Sequence, residues 1–182
     1  MKDERIQILD KTFKPFIRHE RIIEAIDSVA ERINADFVGC TDVPVILCVL
    51  NGSIPFTGEL LQRIDFPCQL ISIKLSSYQG TKSTGTVLNV MGLTSNVRGR
   101  RVIICEDIVD TGNTIVKMME LLQQKKVKDA RVCTLLLKKE VYDKDVKLDY
   151  VAMEIPNRFI VGFGLDYDEL GRNIKDIYVL DD

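Results

Sequence analysis

The sequence predicts an α/β fold with a mainly parallel central sheet and helices on both faces. Three observations carry this. Short apolar runs at Val45–Leu50 and Val102–Cys105, with a third from Ala130 to Leu137, suit strands buried on both faces. The first two runs end in a polar turn and pass at once into a helical pattern. Strands that alternate with helices in this way imply crossover connections and parallel neighbours.

In chain order, residues 1–17 mix charges with Ile6, Ile8, Leu9, Phe13 and Phe16, and predict short strand or coil elements at the domain edge. From Glu20 to Asn34 the residues Ile22, Ile26, Val29, Ala30 and Ile33 recur at helical spacing and predict an amphipathic helix. Val45–Leu50 is a buried strand, Asn51-Gly52-Ser53 a turn, and a helix is expected from about Pro55 to Arg63. Cys68–Ser76 and Thr86–Met91 read as strands on either side of a polar loop, Ser77 to Gly85. After the strand at Val102 a helix is expected with Ile115, Met118, Met119 and Leu122 on its apolar face. Strands at Ala130–Leu137, Tyr150–Ile155 and Ile177–Leu180 complete the chain.

At 182 residues one domain is expected, with a core over about 40–155 and a small hood from about 1–20 and 156–182. A net charge of −2 gives no general attraction to nucleic acid or to a membrane surface, so neither is expected as a partner. No run approaches the roughly 20 apolar residues of a membrane span, and the charged start M-K-D-E-R leads into no signal-peptide core. Five cysteines without a C-x-x-C pair predict a reduced, cytoplasmic chain, and a lone His19 argues against a His-centred triad or a His-ligated zinc.

The chemistry concentrates in Arg101–Thr114, R-V-I-I-C-E-D-I-V-D-T-G-N-T. A strand here delivers a loop to a helix N-terminus. Gly112 permits a tight turn, free N–H groups and the helix dipole favour an anion, and Thr111 and Thr114 add hydroxyls. A monophosphate fits this cradle. The carboxylates Glu106 and Asp107 repel phosphate and suit ribose hydroxyls or a hard divalent cation. An ordinary strand-to-helix connection with an acidic surface turn is the plain alternative.

This stretch resembles the phosphoribosyl-pyrophosphate (PRPP) motif of the type I phosphoribosyltransferases. The L-L-L-K ending at Lys138, the run I-P-N-R-F-I-V-G-F-G-L-D and Arg172 narrow the likeness to the hypoxanthine-guanine phosphoribosyltransferases. The resemblance implies the type I phosphoribosyltransferase fold and a homodimer or homotetramer. It implies transfer of 5-phosphoribosyl from PRPP to a 6-oxopurine base, hypoxanthine or guanine, with Mg2+. Asp110 would be the general base at purine N7 and would head the 5′-phosphate loop of Thr111, Gly112, Asn113 and Thr114. Glu106 and Asp107 would hold ribose and magnesium, and Asp166, also at the base pocket, would anchor a second magnesium through water. Asn51 and Gly52, after a cis Leu50–Asn51 peptide, would bind pyrophosphate with Arg172. Asn51 stands where many members carry Lys or Arg. Lys138 would donate to the 6-oxo group, Phe159 would stack on the purine and the Ile160 backbone would bond its edge. Ser77 and Tyr78 would belong to a mobile lid. Two alternatives remain open: a xanthine-preferring enzyme, and a non-catalytic PRPP-binding regulator of nucleic acid.

Overall fold

The computed structural model describes residues 4–78, 87–91, 93 and 96–181, with the backbone alone at 76–78 and 87–91. In chain order the elements are β1 (Ile6–Ile8), β2 (Lys11–Ile17), α1 (His19–Phe37), β3 (Val45–Val49), α2 (Ile54–Leu61), β4 (Gln69–Tyr78) and β5 (Val87–Met91). They continue with β6 (Arg101–Val109), α3 (Asn113–Gln124), β7 (Asp129–Leu137), β8 (Tyr150–Glu154), β9 (Ile160–Val161) and β10 (Ile177–Leu180).

The larger sheet has the order β5-β4-β3-β6-β7-β8. Its five strands from β4 to β8 are parallel neighbours, and β5 closes the edge antiparallel to β4. Because successive residues of a strand face opposite ways, β3 and β6 divide their side chains between two cores. Ile46, Ile103 and Cys105 pack with Ile22, Ile26 and Ile33 of α1 and with Phe56 and Leu60 of α2. Val45, Leu47, Val102 and Ile104 pack with Ile115, Met118 and Leu122 of α3 on the other side. Burial on both faces is why these strands read as continuous apolar runs. Each such side chain is worth about 1.5–3 kcal/mol when removed from water.

The smaller sheet, β1-β2-β10-β9, is antiparallel and joins the two ends of the chain into the expected hood. Ile177 and Val179 of β10 belong to the same core cluster as α1, so the hood continues that core.

Several boundaries differ from expectation by a few residues. Helix α1 runs past Asn34 to Phe37, whose side chain is buried against the core. Strand β6 does not end before the carboxylates. Ile108 and Val109 pair with Leu136 and Leu137, which carries the ladder to Val109 and puts Glu106 and Asp107 inside the strand. Helix α3 starts at Asn113, directly after Gly112. The lid lies largely outside the described residues: Ser77 and Tyr78 are in β4, with backbones opposite Leu88 and Val87, but their side chains and residues 79–86 are outside.

Candidate active site

The C-terminal ends of β3, β6 and β7 come together at one edge of the larger sheet, the usual ligand position in open α/β sheets. At the end of β6, Gly112 occupies the left-handed region, with φ 80°, and forms the N-cap of α3. The first turn of α3 carries no acidic residue, so nothing there opposes an anion. Glu106 and residues 108–115 line a cavity of about 90 Å³.

Glu106 is a buried side chain, and its Oε2 has no hydrogen-bond partner. Burial, with Asp107 adding to it, pushes the Glu106 carboxyl well above its ordinary range. Asp107 is pushed up to about 6, chiefly by burial, while the Ile108 N–H and the nearby Arg172 act in the opposite direction. Neither is the solvated surface carboxylate that an acidic turn would carry.

Strand β3 ends in a cis peptide between Leu50 and Asn51, as the resemblance implies. Gly52 follows, wedged tightly. A Cβ on Gly52 would sit 1.7 Å from Asp107 Oδ2, and a Cβ on Gly164 would sit 1.9 Å from the Gly52 carbonyl oxygen. The turn after β3, the end of β6 and the run through Gly164 therefore meet at distances only glycine permits. Arg172 ties this junction down. Its Nη1 donates to the Gly164 carbonyl at 2.8 Å and its Nη2 pairs with Asp166 Oδ1 at 2.7 Å. Asp166 Oδ2 also accepts the Glu169 N–H at 2.8 Å.

Lys138 is buried at the end of β7, and its Nζ reaches Asp110 Oδ2 at 2.9 Å. The sequence pointed to both residues but not to this contact. Phe159 is 41% exposed, which removes it from the core. Its ring packs on Phe13 at 5.9 Å and edge-on to Tyr167 at 5.7 Å. Ile160 pairs with Val179 in the hood, holding the segment beside Phe159 rigid.

The structure thus brings Asp107, Gly52, Asp166 and Arg172 into one group and Asp110 and Lys138 into another, with Glu106 lining the cavity of the loop from Thr111 to Thr114. Asn51 is exposed beside Gly52. Among the described residues, no group of three or more His, Cys, Asp or Glu side chains is placed to hold a metal. Glu106, Asp107 and Asp166 therefore form no protein-only cage. Two contributors were invisible in the sequence reading: Gly164, which needs φ 100° and close approach to Gly52, and Tyr142, whose ring lies against Gly112. The glycine repeat Gly162-Phe163-Gly164 was the one available signal for the former.

Residues 16–168 match the phosphoribosyl transferase domain family. A hypoxanthine-guanine phosphoribosyltransferase of Streptococcus thermophilus is 37% identical over 175 residues, covering 95% of this chain and 96% of that protein. A hypoxanthine-guanine-xanthine phosphoribosyltransferase of Tritrichomonas foetus is 37% identical over 169 residues, covering 88% and 91%. The crystal structure of a hypoxanthine-guanine phosphoribosyltransferase from Bacillus anthracis superposes with a TM-score of 0.82 at 32% identity, over 93% of this chain and 98% of that one. Likeness that runs nearly end to end, in sequence and in backbone alike, makes the chain a member of the hypoxanthine-guanine phosphoribosyltransferases, within the phosphoribosyl transferase domain family.

Proposed function

We propose that the chain salvages purines by transferring the 5-phosphoribosyl group of PRPP to hypoxanthine or guanine, giving IMP or GMP and pyrophosphate. The observation that carries this reading is the pair of Lys138 and Asp110, a fixed donor and a fixed acceptor side by side at the mouth of the β6–α3 loop. An ammonium offers three donors and no acceptor, which suits a 6-oxo group and opposes a 6-amino group. Asp110, half exposed beside it, takes the proton at purine N7. Phe159 presents its free ring face to the base, and the Ile160 backbone meets the base edge.

The 5′-phosphate rests on Thr111 to Thr114, whose N–H groups and hydroxyls converge at the start of α3. Glu106 and Asp107 take the ribose hydroxyls, which supply the hydrogen bond that Glu106 Oε2 lacks. Asn51 and Gly52 hold pyrophosphate through backbone N–H groups, and Arg172 adds a fork-shaped donor. Ser77 and Tyr78 close over the reacting carbon and exclude water.

Magnesium belongs to this reading, and the residues fit it. A buried oxygen without a partner, next to a second carboxylate, can accept a hydrated cation. Magnesium commonly keeps several waters and takes one or two carboxylates together with substrate phosphates, so the lack of a three-carboxylate cage suits it. Glu106 and Asp107 would hold one ion and Asp166 a second through water. When bound, the metal neutralises charge on the departing pyrophosphate.

A homodimer or homotetramer completes the proposal, and sedimentation measures it. Five free thiols support a cytoplasmic setting, and no helix among the described residues is long and apolar enough to cross a membrane. The deciding experiment is turnover with PRPP and magnesium against hypoxanthine, guanine, xanthine and adenine. Activity with the first two is expected, and EDTA should abolish it until magnesium is restored. Xanthine turnover above both would favour the xanthine-preferring alternative; the Tritrichomonas relative is named for all three bases. Full activity in EDTA, or a preference for adenine, would reject the assignment.

A further inference from the structure

Tyr142 lies outside the stretches whose pattern points to the family, yet it stands where the two halves of the site meet. Strand β7 ends at Leu137, and the Lys138 N–H donates to the Val109 carbonyl at 2.9 Å, locking the end of β7 to the end of β6. The chain then reverses: the N–H groups of Val141 and Tyr142 both donate to the Lys138 carbonyl, at 3.1 and 3.2 Å. This reversal turns Tyr142 back towards the β6–α3 loop. A Cβ on Gly112 would lie 2.5 Å from Tyr142 Cε2 and 2.9 Å from Cδ2, so the ring edge is packed against the Gly112 turn. The far end of the ring is tethered, since its hydroxyl donates to the Val146 carbonyl. Tyr142 and Val146 both pack on the core cluster that includes Ile115 and Met118 of α3. Tyr142 itself does not line the cavity formed by Glu106 and residues 108–115.

We propose that Tyr142 is a positioning residue whose ring braces the Gly112 turn from behind and fixes the phosphate loop relative to the turn that carries Lys138. The inference rests on the reading that Thr111 to Thr114 hold the 5′-phosphate. Gly112, at φ 80° with no side chain, is intrinsically the most mobile point of that loop. Its N–H and those of its neighbours must hold their direction to within a fraction of an ångström for a phosphate to gain from all of them. The ring removes that freedom without touching the ligand. The same turn holds Lys138, so phosphate cradle and base donor share one rigid support.

The test uses the full chain with Tyr142→Ala and Tyr142→Phe, and compares binding of IMP with binding of inosine, which lacks only the phosphate. Tyr142→Ala should weaken IMP and raise the KM for PRPP by about tenfold while changing inosine by less than about twofold, since misplacement of a positioning group costs affinity only where that group acts. Tyr142→Phe keeps the ring and should recover most of the loss. If Tyr142→Ala does not fold, Tyr142→Leu keeps the apolar bulk and should show the same split. Equal weakening of IMP and inosine, unchanged IMP binding, or a Phe variant as impaired as Ala would overturn the proposal. A wild-type chain that binds inosine as tightly as IMP would overturn the phosphate reading of the loop itself, a result separable from any effect at Tyr142.

Discussion

At the scale of single residues, Lys138 and Asp110 satisfy each other across 2.9 Å. A buried ammonium is costly without an anion beside it, so this contact is part of what allows a lysine at the end of β7. In the proposed reading, base binding would exchange this one charge-assisted contact for two, to the 6-oxo group and to N7. If Lys138 is the proposed 6-oxo donor, Lys138→Ala should cost hypoxanthine and guanine roughly 1.5–3 kcal/mol of transition-state binding. Adenine should lose nothing. The ratio of hypoxanthine to adenine kcat/KM is the quantity to measure, because general damage lowers both together; an unchanged ratio would make Lys138 structural. Asp110→Asn keeps the shape and removes the proposed base, so kcat should fall by about 10²–10⁴-fold. PRPP binding should change far less, since the loop N–H groups remain, and an Asn variant with near-normal kcat would exclude Asp110 as the base.

At the scale of elements, the end of β6 buries two carboxylates, Glu106 and Asp107, side by side. The Asp107 carboxyl is pushed up to about 6 by burial, above its ordinary 3.8, so the folded chain binds that proton more tightly than the unfolded chain. The stability this contributes is fully present below pH 3.8 and is lost as pH rises through about 6. Glu106 shifts in the same direction. The ligand-free protein should therefore lose stability between about pH 4 and pH 6 on account of Asp107. Asp107→Asn should flatten that part of the melting-temperature profile and raise the melting temperature at pH 7.5, while activity falls. A profile with unchanged slope would show that Asp107 carries no such burden. The strand–turn–helix units at β3 and β6 were legible because their signals are local: an apolar run, a turn residue, then a helical repeat. The burial of Glu106 and Asp107 was not. Asp107 lies beside Gly52 and Arg172, which reach the end of β6 from elsewhere in the chain. The Lys138–Asp110 contact spans 28 residues, and no local pattern encodes it. Residues 6–17 read only as short strand or coil elements for the same reason: β2 pairs locally with β1 but gains its other neighbour from β10, near the other end of the chain.

At the scale of the whole molecule, the hood and the larger sheet are joined at the start of α1, and one carboxylate makes the joint. Arg18, the N-cap residue of α1, makes no side-chain cap bond to the helix. Asp176, just before β10, serves instead. Its Oδ1 accepts the His19 N–H at 2.9 Å and its Oδ2 accepts Arg18 Nη1 at 3.1 Å, a helix cap supplied from 157 residues away. The backbone is equally close there, for a Cβ on Gly162 would stand 2.0 Å from the Asp176 carbonyl oxygen. The hood that carries Ile160 beside Phe159 is thereby set against the sheet that carries Lys138. Burial alone would raise the Asp176 carboxyl, but the His19 N–H and Arg18 outweigh it and hold the carboxyl below its ordinary 3.8. The sign is opposite to that of Asp107: this stability is present above pH 3.8 and is lost as pH falls through the lower folded value. Asp176→Ala should cost about 1–2 kcal/mol, the range for a lost cap, or about 2–8 °C in melting temperature for a chain of this size. The deficit should be full at pH 7 and narrow below about pH 4, where the wild-type carboxyl also begins to lose its charge. Calorimetric melts of both proteins from pH 3 to pH 8 measure it. A deficit that does not change with pH would assign the loss to packing at the joint, and no deficit at any pH would remove Asp176 from it.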